Sequence, residues 1–270
     1  MMYLGSQRKV VKQIKDIVLS GWGTEYKTYI EPFVGSGSML REVPAIAGTE
    51  IIGFDKNHYL IAFYNYCKVA LLHEDVTHFN RKYMKDDLLE VVISRGDYTY
   101  YRDVAKYDEA QRETMGISDE FLGYVGLMYA FNGDFFAGFV DEKTKTANVK
   151  SFLSSLPQFI NKHFYPHTYE VVRHILPDDK RTIIFCDPPR VHKTNNGRSF
   201  RKNWLEIEDR NAMYAEMWDW TAKGNVVYLT DNEAPEPFHK LWTSDNSFGL
   251  DNLPTKKVEN LYSLLSVWMT

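Results

Sequence analysis

The chain has only two cysteines, Cys67 and Cys186, far apart in sequence. That is too few for a disulfide framework or a Cys-rich metal site. Its eight histidines are scattered, with no spacing that gathers ligands, so no metal is expected. Long apolar runs are also missing. A membrane span needs about 18 or more consecutive apolar residues, whereas the longest uncharged stretch, Phe121 to Gly133, has 13 residues and contains three glycines. The first residues, MMYLGSQRKVVKQIK, are polar and basic where a signal peptide has an apolar centre. No internal repeat, low-complexity tract or Pro/Ser-rich linker is present. These absences predict an intracellular, soluble protein with no membrane partner. The charge balance is small as well, −4 net with a pI near 6.1, which argues against a protein that coats polyanions indiscriminately. What remains is 270 residues, 44% apolar and 25% charged. That composition buries a substantial core in one domain, or in one domain carrying a large insertion.

The apolar patterning alternates between two periods. From Ser6 to Leu19, apolar residues at Val10, Val11, Ile14, Ile17 and Val18 predict a helix. Lys27 to Phe33 (KTYIEPF) predicts a short strand that stops in VGSGS, and Met39 to Ala47 a helix after it. Glu50 to Phe54 (EIIGF) predicts a second buried strand followed by Asp55, and Tyr59 to Leu72 another helix. Such alternation implies an α/β fold, a parallel sheet wrapped by helices. From about 73 to 165 the pattern gives way to a stretch rich in Tyr, Phe, Gly and charge, read as an inserted, mainly helical region. Its Tyr98, Tyr100 and Tyr101 cannot all face one way on a single element, and the loop from Asn132 to Phe139 is expected near the functional pocket. The sheet resumes at Arg181 to Cys186, where Pro188 and Pro189 end the strand. A helix is predicted over Asn211 to Ala222, a strand at Asn225 to Thr230, and a terminal strand within Lys257 to Trp268.

Two motifs carry chemistry. The first is Glu31-Pro-Phe33-Val-Gly35-Ser-Gly37-Ser at a strand-to-helix turn. Glycines let backbone approach a ligand closely, although a tight structural turn needs them too. The third glycine of a dinucleotide fingerprint would fall at position 40, which is Leu40, so a diphosphate fits poorly. Asp55 follows the next strand, 18 residues beyond Gly37, where a carboxylate can accept bonds from both hydroxyls of a ribose. Together these point to an adenosine-containing cofactor without a diphosphate, S-adenosylmethionine first among the candidates. A nicotinamide-dependent oxidoreductase accounts for Asp55 but not for Leu40.

The second motif is Cys186-Asp187-Pro188-Pro189. By chance an Asp-Pro-Pro triplet appears in a chain of this length only a few times in roughly a hundred. Two prolines stiffen the backbone at the carboxyl edge of the sheet, where open α/β sheets place their sites. A planar exocyclic amine could donate to the Asp187 carboxylate and the Pro188 carbonyl, which moves its nitrogen towards a tetrahedral, nucleophilic form. A capped rigid loop is the structural alternative. Between Pro188 and Leu205, Arg190, Lys193, Arg198, Arg201 and Lys202 form a basic run with no acidic residue, either a solvated loop or a contact for phosphate.

In order along the chain, YLGSQRK, EPFVGSGS, GFDKNHYLIA, GLMYAFNGDFFAGF, CDPP and GNVVYLTDNEAPEPFHKLW resemble the blocks of the D12 (Dam-like) class of phage and bacterial DNA adenine-N6 methyltransferases. The resemblance runs through nearly the whole chain. It implies a mostly parallel seven-stranded methyltransferase sheet with helices on both faces, residues 1–72 and 166–270 forming the catalytic core and 73–165 an inserted target-recognition region. It further implies methyl transfer from S-adenosylmethionine to the N6 amine of an adenine flipped out of double-stranded DNA. Asp187, Pro188, Pro189 and Arg190 would be catalytic. Glu31, Phe33, Gly35, Gly37 and Asp55 would hold the cofactor, with Tyr3, Gly5 and Arg8 from the first segment, and the basic residues from Arg190 to Lys202 would contact DNA. The family setting is the cytoplasm of a bacterium or phage-infected cell, often in the context of restriction and modification, with the protein a monomer or weak dimer. Three positions depart from the pattern. Arg190 stands where the family has a stacking aromatic, Gln7 where it usually has Lys, and Thr168 where an Asp commonly contacts the cofactor's adenine. A guanidinium can stack on a base, yet it sets positive charge beside the attacking nitrogen. The alternative reading is therefore a methyltransferase-like protein that binds DNA and cofactor with impaired catalysis.

Overall fold

The computed structural model describes residues 8–72, 88–130, 135–177, 181–189, 210–231, 233–243 and 260–264. Within these, the chain divides into two units, one from Asp55 to Pro166 and one made of the residues before Asp55 and from His167 onward. In chain order the elements are α1 (Arg8–Val18), β1 (Thr28–Glu31), β2 (Glu50–Phe54), α2 (His58–Leu72), α3 (Arg95–Val104), α4 (Glu109–Thr114), α5 (Asp119–Met128) and α6 (Glu142–Ser155). There follow β3 (His163–Tyr165), α7 (Val172–Ile175), β4 (Thr182–Cys186), α8 (Arg210–Ala222), β5 (Val226–Asp231), β6 (His239–Thr243) and β7 (Asn260–Leu264).

In the second unit β1 sits inside a parallel set. Ile30 lies opposite Ile52 of β2 on one side and Ile184 of β4 on the other. β4 pairs in parallel with β5, Cys186 opposite Leu229. β7 then runs antiparallel to β5, and β6 antiparallel to β7. The order in this unit is β2-β1-β4-β5-β7-β6, and β3, in the other unit, brings the described strands to seven. β1 and β4 are buried along their whole length, as strands covered on both faces must be. Ile30, Ile52, Ile184, Val227 and Leu229 form one face and pack with Met213, Met217 and Trp220 of α8. Tyr228 points to the other face, where its hydroxyl donates to the Ile17 carbonyl at 3.3 Å. There α1 buries Val10, Val11, Ile14 and Val18, the stripe its periodicity predicts. The α/β class expected from the sequence is the fold observed.

One local expectation fails. Residues 39–47 do not form a helix; only Leu40–Glu42 winds into a single 3₁₀ turn. Pro44 explains this, because its ring disfavours helical geometry at the preceding residue, and Val43 is extended at φ −71°, ψ 112°. The glycine turn therefore does not lead into a regular helix N-terminus.

The Asp55–Pro166 unit is helical, apart from β3. α5 lies against α2 so closely that a Cβ on Gly123 would meet the Tyr59 carbonyl oxygen at 2.1 Å and the Phe63 Cβ at 2.8 Å. Rings from several elements fill the space beside them, Phe63 stacking on Phe152 at 5.0 Å and Tyr64 on Phe159 at 5.4 Å. Ser94, Asp108, Ser118 and Asp141 cap α3, α4, α5 and α6 through their side chains. As the alternation of Tyr98, Tyr100 and Tyr101 requires, Tyr98 is buried and donates to the Gly138 carbonyl at 3.2 Å, while Tyr100 is exposed. Fully buried Lys145 ion-pairs with Glu142 and donates to the Leu89 carbonyl at 2.8 Å, so its charge is compensated where it stands.

Two stability predictions arise here. Gly123→Ala has no room for its methyl group between two backbones, and overpacking of this kind costs about 3 kcal/mol or more. A clear fall in the thermal midpoint, followed by circular dichroism, is expected; an unchanged midpoint would show that the two helices can separate freely. The second concerns alkali. Burial pushes the hydroxyl of Tyr59 up to about 12, and burial also raises those of Tyr29, Tyr124 and Tyr129 well above the usual tyrosine value. These groups keep their protons in the fold where an unfolded tyrosine, titrating near about 10, has lost its own. The unfolded state then binds fewer protons, so stability falls as pH rises through that range and is unaffected by these groups below it. Melts at about pH 8, 9, 10 and 11 should show a plateau followed by a decline.

Candidate active site

The carboxyl ends of β1 and β4 lie side by side at one edge of the sheet. The chain leaves β1 towards β2 on one side, and β4 adds on the other, so the strand order reverses between them. In open α/β sheets, ligands bind outside the carboxyl ends of the strands at such a switch point. Glu31 is the last residue of β1, and Asp187 directly follows β4.

Glu31 is only 2% exposed. Tyr29, two residues earlier on the same strand face, donates its hydroxyl to Glu31 Oε2 at 3.2 Å. Burial pushes the Tyr29 hydroxyl far up, and the Glu31 carboxylate, with a smaller contribution from Asp187, adds to it. The buried Cys186 thiol is raised by its burial and by the same two carboxylates. Two neutral groups thus sense both acids, as expected when adjacent strand ends carry them.

Pro32 follows Glu31, and the chain turns. The Val34 amide donates to the Phe54 carbonyl at 2.9 Å, tying the turn to the end of β2. Gly35 and Gly37 have φ of 46° and 61°, left-handed values that glycine adopts without a Cβ penalty. The Gly37 carbonyl accepts from the Arg41 amide at 3.0 Å and from Arg41 Nε at 3.1 Å. Phe33 is half-buried, with its ring 5.7 Å from that of Tyr169.

At the second motif Asp187 is half-buried, Pro188 buried and Pro189 half-buried. Thr230 of β5 donates its hydroxyl to Asp187 Oδ1 at 2.8 Å. Arg210, the first residue of α8, donates to the Pro189 carbonyl at 2.9 Å and ion-pairs with Asp231 at the end of β5. Tyr214, one turn further along α8, accepts from Arg210 at 3.3 Å. Thr230 and Asp231 lie within the block GNVVYLTDNEAPEPFHKLW and Tyr29 within KTYIEPF, but neither run marks them as site residues, and Arg210 lies in no such run. Their partners lie up to 43 residues away, so only the fold reveals them.

Of the predicted site residues, the second unit brings Glu31, Phe33, Gly35, Gly37, Asp187, Pro188 and Pro189 to one sheet edge. Asp55 opens the other unit; it is buried and accepts from the Asn57 amide at 2.9 Å. Thr168 is exposed and precedes the 3₁₀ turn Tyr169–Val171 without capping it through its side chain. Tyr3, Gly5, Gln7, Arg190, Lys193, Arg198, Arg201 and Lys202 lie outside the described residues, as do Asn132 to Asp134 and the side chain of Arg8. Phe135 and Phe136 of the predicted pocket loop are buried among other rings. Among the described residues there is no cluster of His, Cys, Asp or Glu suited to a metal ion, and no helix long and apolar enough to cross a membrane.

The donor set at this edge fits a cationic adenosine derivative better than a dinucleotide. It offers a buried carboxylate and a glycine turn, with buried Leu40 at the position of a third glycine and no regular helix start to face a diphosphate. A search among curated proteins gave no match. Nothing observed favours the reading with impaired catalysis. The model of the D12 class N6 adenine-specific DNA methyltransferases matches residues 3–257, and the chain belongs to that family of enzymes, which transfer a methyl group from S-adenosylmethionine to the N6 amine of adenine in DNA.

Proposed function

We propose that the Asp187-Pro188-Pro189 corner receives the adenine amine and that the end of β1 with its glycine turn holds the methyl donor. The observation that supports this most is the pair of acids, Glu31 and Asp187, at the carboxyl ends of adjacent parallel strands on either side of the switch point.

In this proposal one N–H of the adenine amine donates to the Asp187 carboxylate and the other to the Pro188 carbonyl. Both acceptors draw the nitrogen lone pair out of conjugation with the ring. Bound S-adenosylmethionine supplies an electrophilic methyl group on a sulfonium. As the N–C bond forms at the expense of the C–S bond, Asp187 would take up the surplus proton on N6 and pass it to water. Glu31 would offset the donor's positive charge, Gly35 and Gly37 would let backbone approach it, and Phe33 would line its pocket. Asp55 would accept the ribose hydroxyls, with Tyr3, Gly5 and Arg8 as further contacts. Arg190, Lys193, Arg198, Arg201 and Lys202 would meet phosphates of a duplex with the target adenine flipped out. Residues 73–165 would read the target within a core of 1–72 and 166–270. We place this activity in the cytoplasm of a bacterial or phage-infected cell, carried out by a monomer or weak dimer.

The test is incubation with methyl-labelled S-adenosylmethionine and unmethylated duplex DNA, followed by nucleoside analysis. Label in N6-methyladenine is expected. Donor binding with no label in DNA would overturn the proposal.

A further inference from the structure

Resting on the reading of Asp187 as the amine acceptor, we infer that Arg210 and Thr230 are positioning residues that hold the Asp-Pro-Pro corner in its working geometry. The corner presents a side-chain carboxylate and a peptide carbonyl whose orientations must be set together. It cannot be held by its own backbone donors, because Pro188 and Pro189 have no N–H. β5 supplies the restraint. Cys186 is opposite Leu229, so the next residues of β5, Thr230 and Asp231, run beside the corner. Thr230 fixes one end by donating to Asp187 Oδ1 at 2.8 Å. Asp231, whose side chain is 8% exposed, fixes the other through Arg210. One guanidinium nitrogen of Arg210 meets the Asp231 carboxylate, and the other donates to the Pro189 carbonyl at 2.9 Å.

This is a two-point span that a planar guanidinium can make and the single ammonium of lysine cannot reproduce. With φ locked at both prolines, holding the Pro189 carbonyl restricts the peptide before it, which carries the Pro188 carbonyl. Tyr214 bonds to Arg210, and its ring sits edge-on to Phe238 at 5.7 Å, so the guanidinium is itself supported. Arg210 and Thr230 act through the corner, and this distinguishes them from Asp187.

The experiment compares kcat and the KM for S-adenosylmethionine in wild type, Thr230→Val, Thr230→Ser, Arg210→Lys, Asp231→Asn and Asp187→Ala, with a thermal melt of each. Misplacing a reacting group by about 1 Å costs on the order of 100-fold. Thr230→Val and Arg210→Lys should therefore lose roughly 10- to 100-fold in kcat, with the donor KM within about twofold of wild type. Asp231→Asn should behave like Arg210→Lys, and Thr230→Ser, which keeps the hydroxyl, should retain near wild-type kcat. Wild-type kcat in Thr230→Val and Arg210→Lys overturns the inference, as does failure of Thr230→Ser to retain activity in a protein that melts normally. If Asp187→Ala is inactive while those variants are fully active, only the positioning roles fall. If Asp187→Ala keeps its activity, the reading of the corner falls with them.

Discussion

Asp187→Ala is expected to lower methyl transfer to DNA by roughly 100- to 1000-fold, the usual cost of removing one preorganised polar group from a reacting centre. Donor binding should persist, because the effect falls on the amine. In the proposed mechanism the carboxylate has two tasks, accepting an N–H before the reaction and taking up the surplus proton as the N–C bond forms. Alanine abolishes both. Asn at this position keeps an acceptor oxygen but loses the charge, so Asp187→Asn should fall between alanine and wild type. The fold should survive either change. Asp187 is half-buried after the end of β4, and the Thr230 hydroxyl it leaves also lies 3.4 Å from the Cys186 carbonyl. Single-turnover rates at saturating donor, beside a donor titration, measure the two quantities separately. Loss of donor binding equal to the loss of rate would show that Asp187 belongs to the cofactor site instead.

Glu31→Gln should give the complementary pattern. The side chain is 2% exposed and accepts a bond from Tyr29, and a glutamine oxygen can accept the same bond, so the local packing is kept. What disappears is the negative charge that the proposal sets against a cationic donor. A hydrogen bond involving a charged group contributes about 1.5–3 kcal/mol, so the donor Kd should rise about 10- to 100-fold. At saturating donor the rate should change far less. The neutral product, S-adenosylhomocysteine, lacks the sulfonium charge and should lose less affinity than S-adenosylmethionine. Equal losses for both would place the role of Glu31 elsewhere on the ligand, and unchanged affinity for both would remove it from the donor site.

Much of this arrangement is legible in the sequence because its central strands are short, mostly buried and centred on apolar residues. KTYIEPF, EIIGF, RTIIFC and NVVYLT are each followed by residues that turn the chain or carry a carboxylate, and β1, β2, β4 and β5 occur within or beside those runs. Proline both helps and misleads. Pro188 and Pro189 mark the corner, whereas the effect of Pro44 on Val43 overrides an otherwise helical pattern at Met39 to Ala47. β6 escapes notice because HKLWT is mostly exposed and has no buried alternation to read. β3 has only three residues. At the site, Glu31, the glycine turn and Asp187 announce themselves through local spacing. The supporting residues do not. Arg210 meets the corner across 21 residues and Thr230 across 43. Such partnerships are made by strand order, and no short motif encodes them.

The central claim is that the β1 turn and the Asp-Pro-Pro corner act on one ligand at the switch point of the sheet. A crystal structure of the protein with S-adenosylhomocysteine tests it most directly. The account predicts the sulfur at the carboxyl ends of β1 and β4, with Glu31 and the Gly35–Gly37 turn against the ligand and Asp187 facing it across the space for an adenine amine. A ligand bound at any other edge of the sheet, or Asp187 turned away from the sulfur, would contradict it.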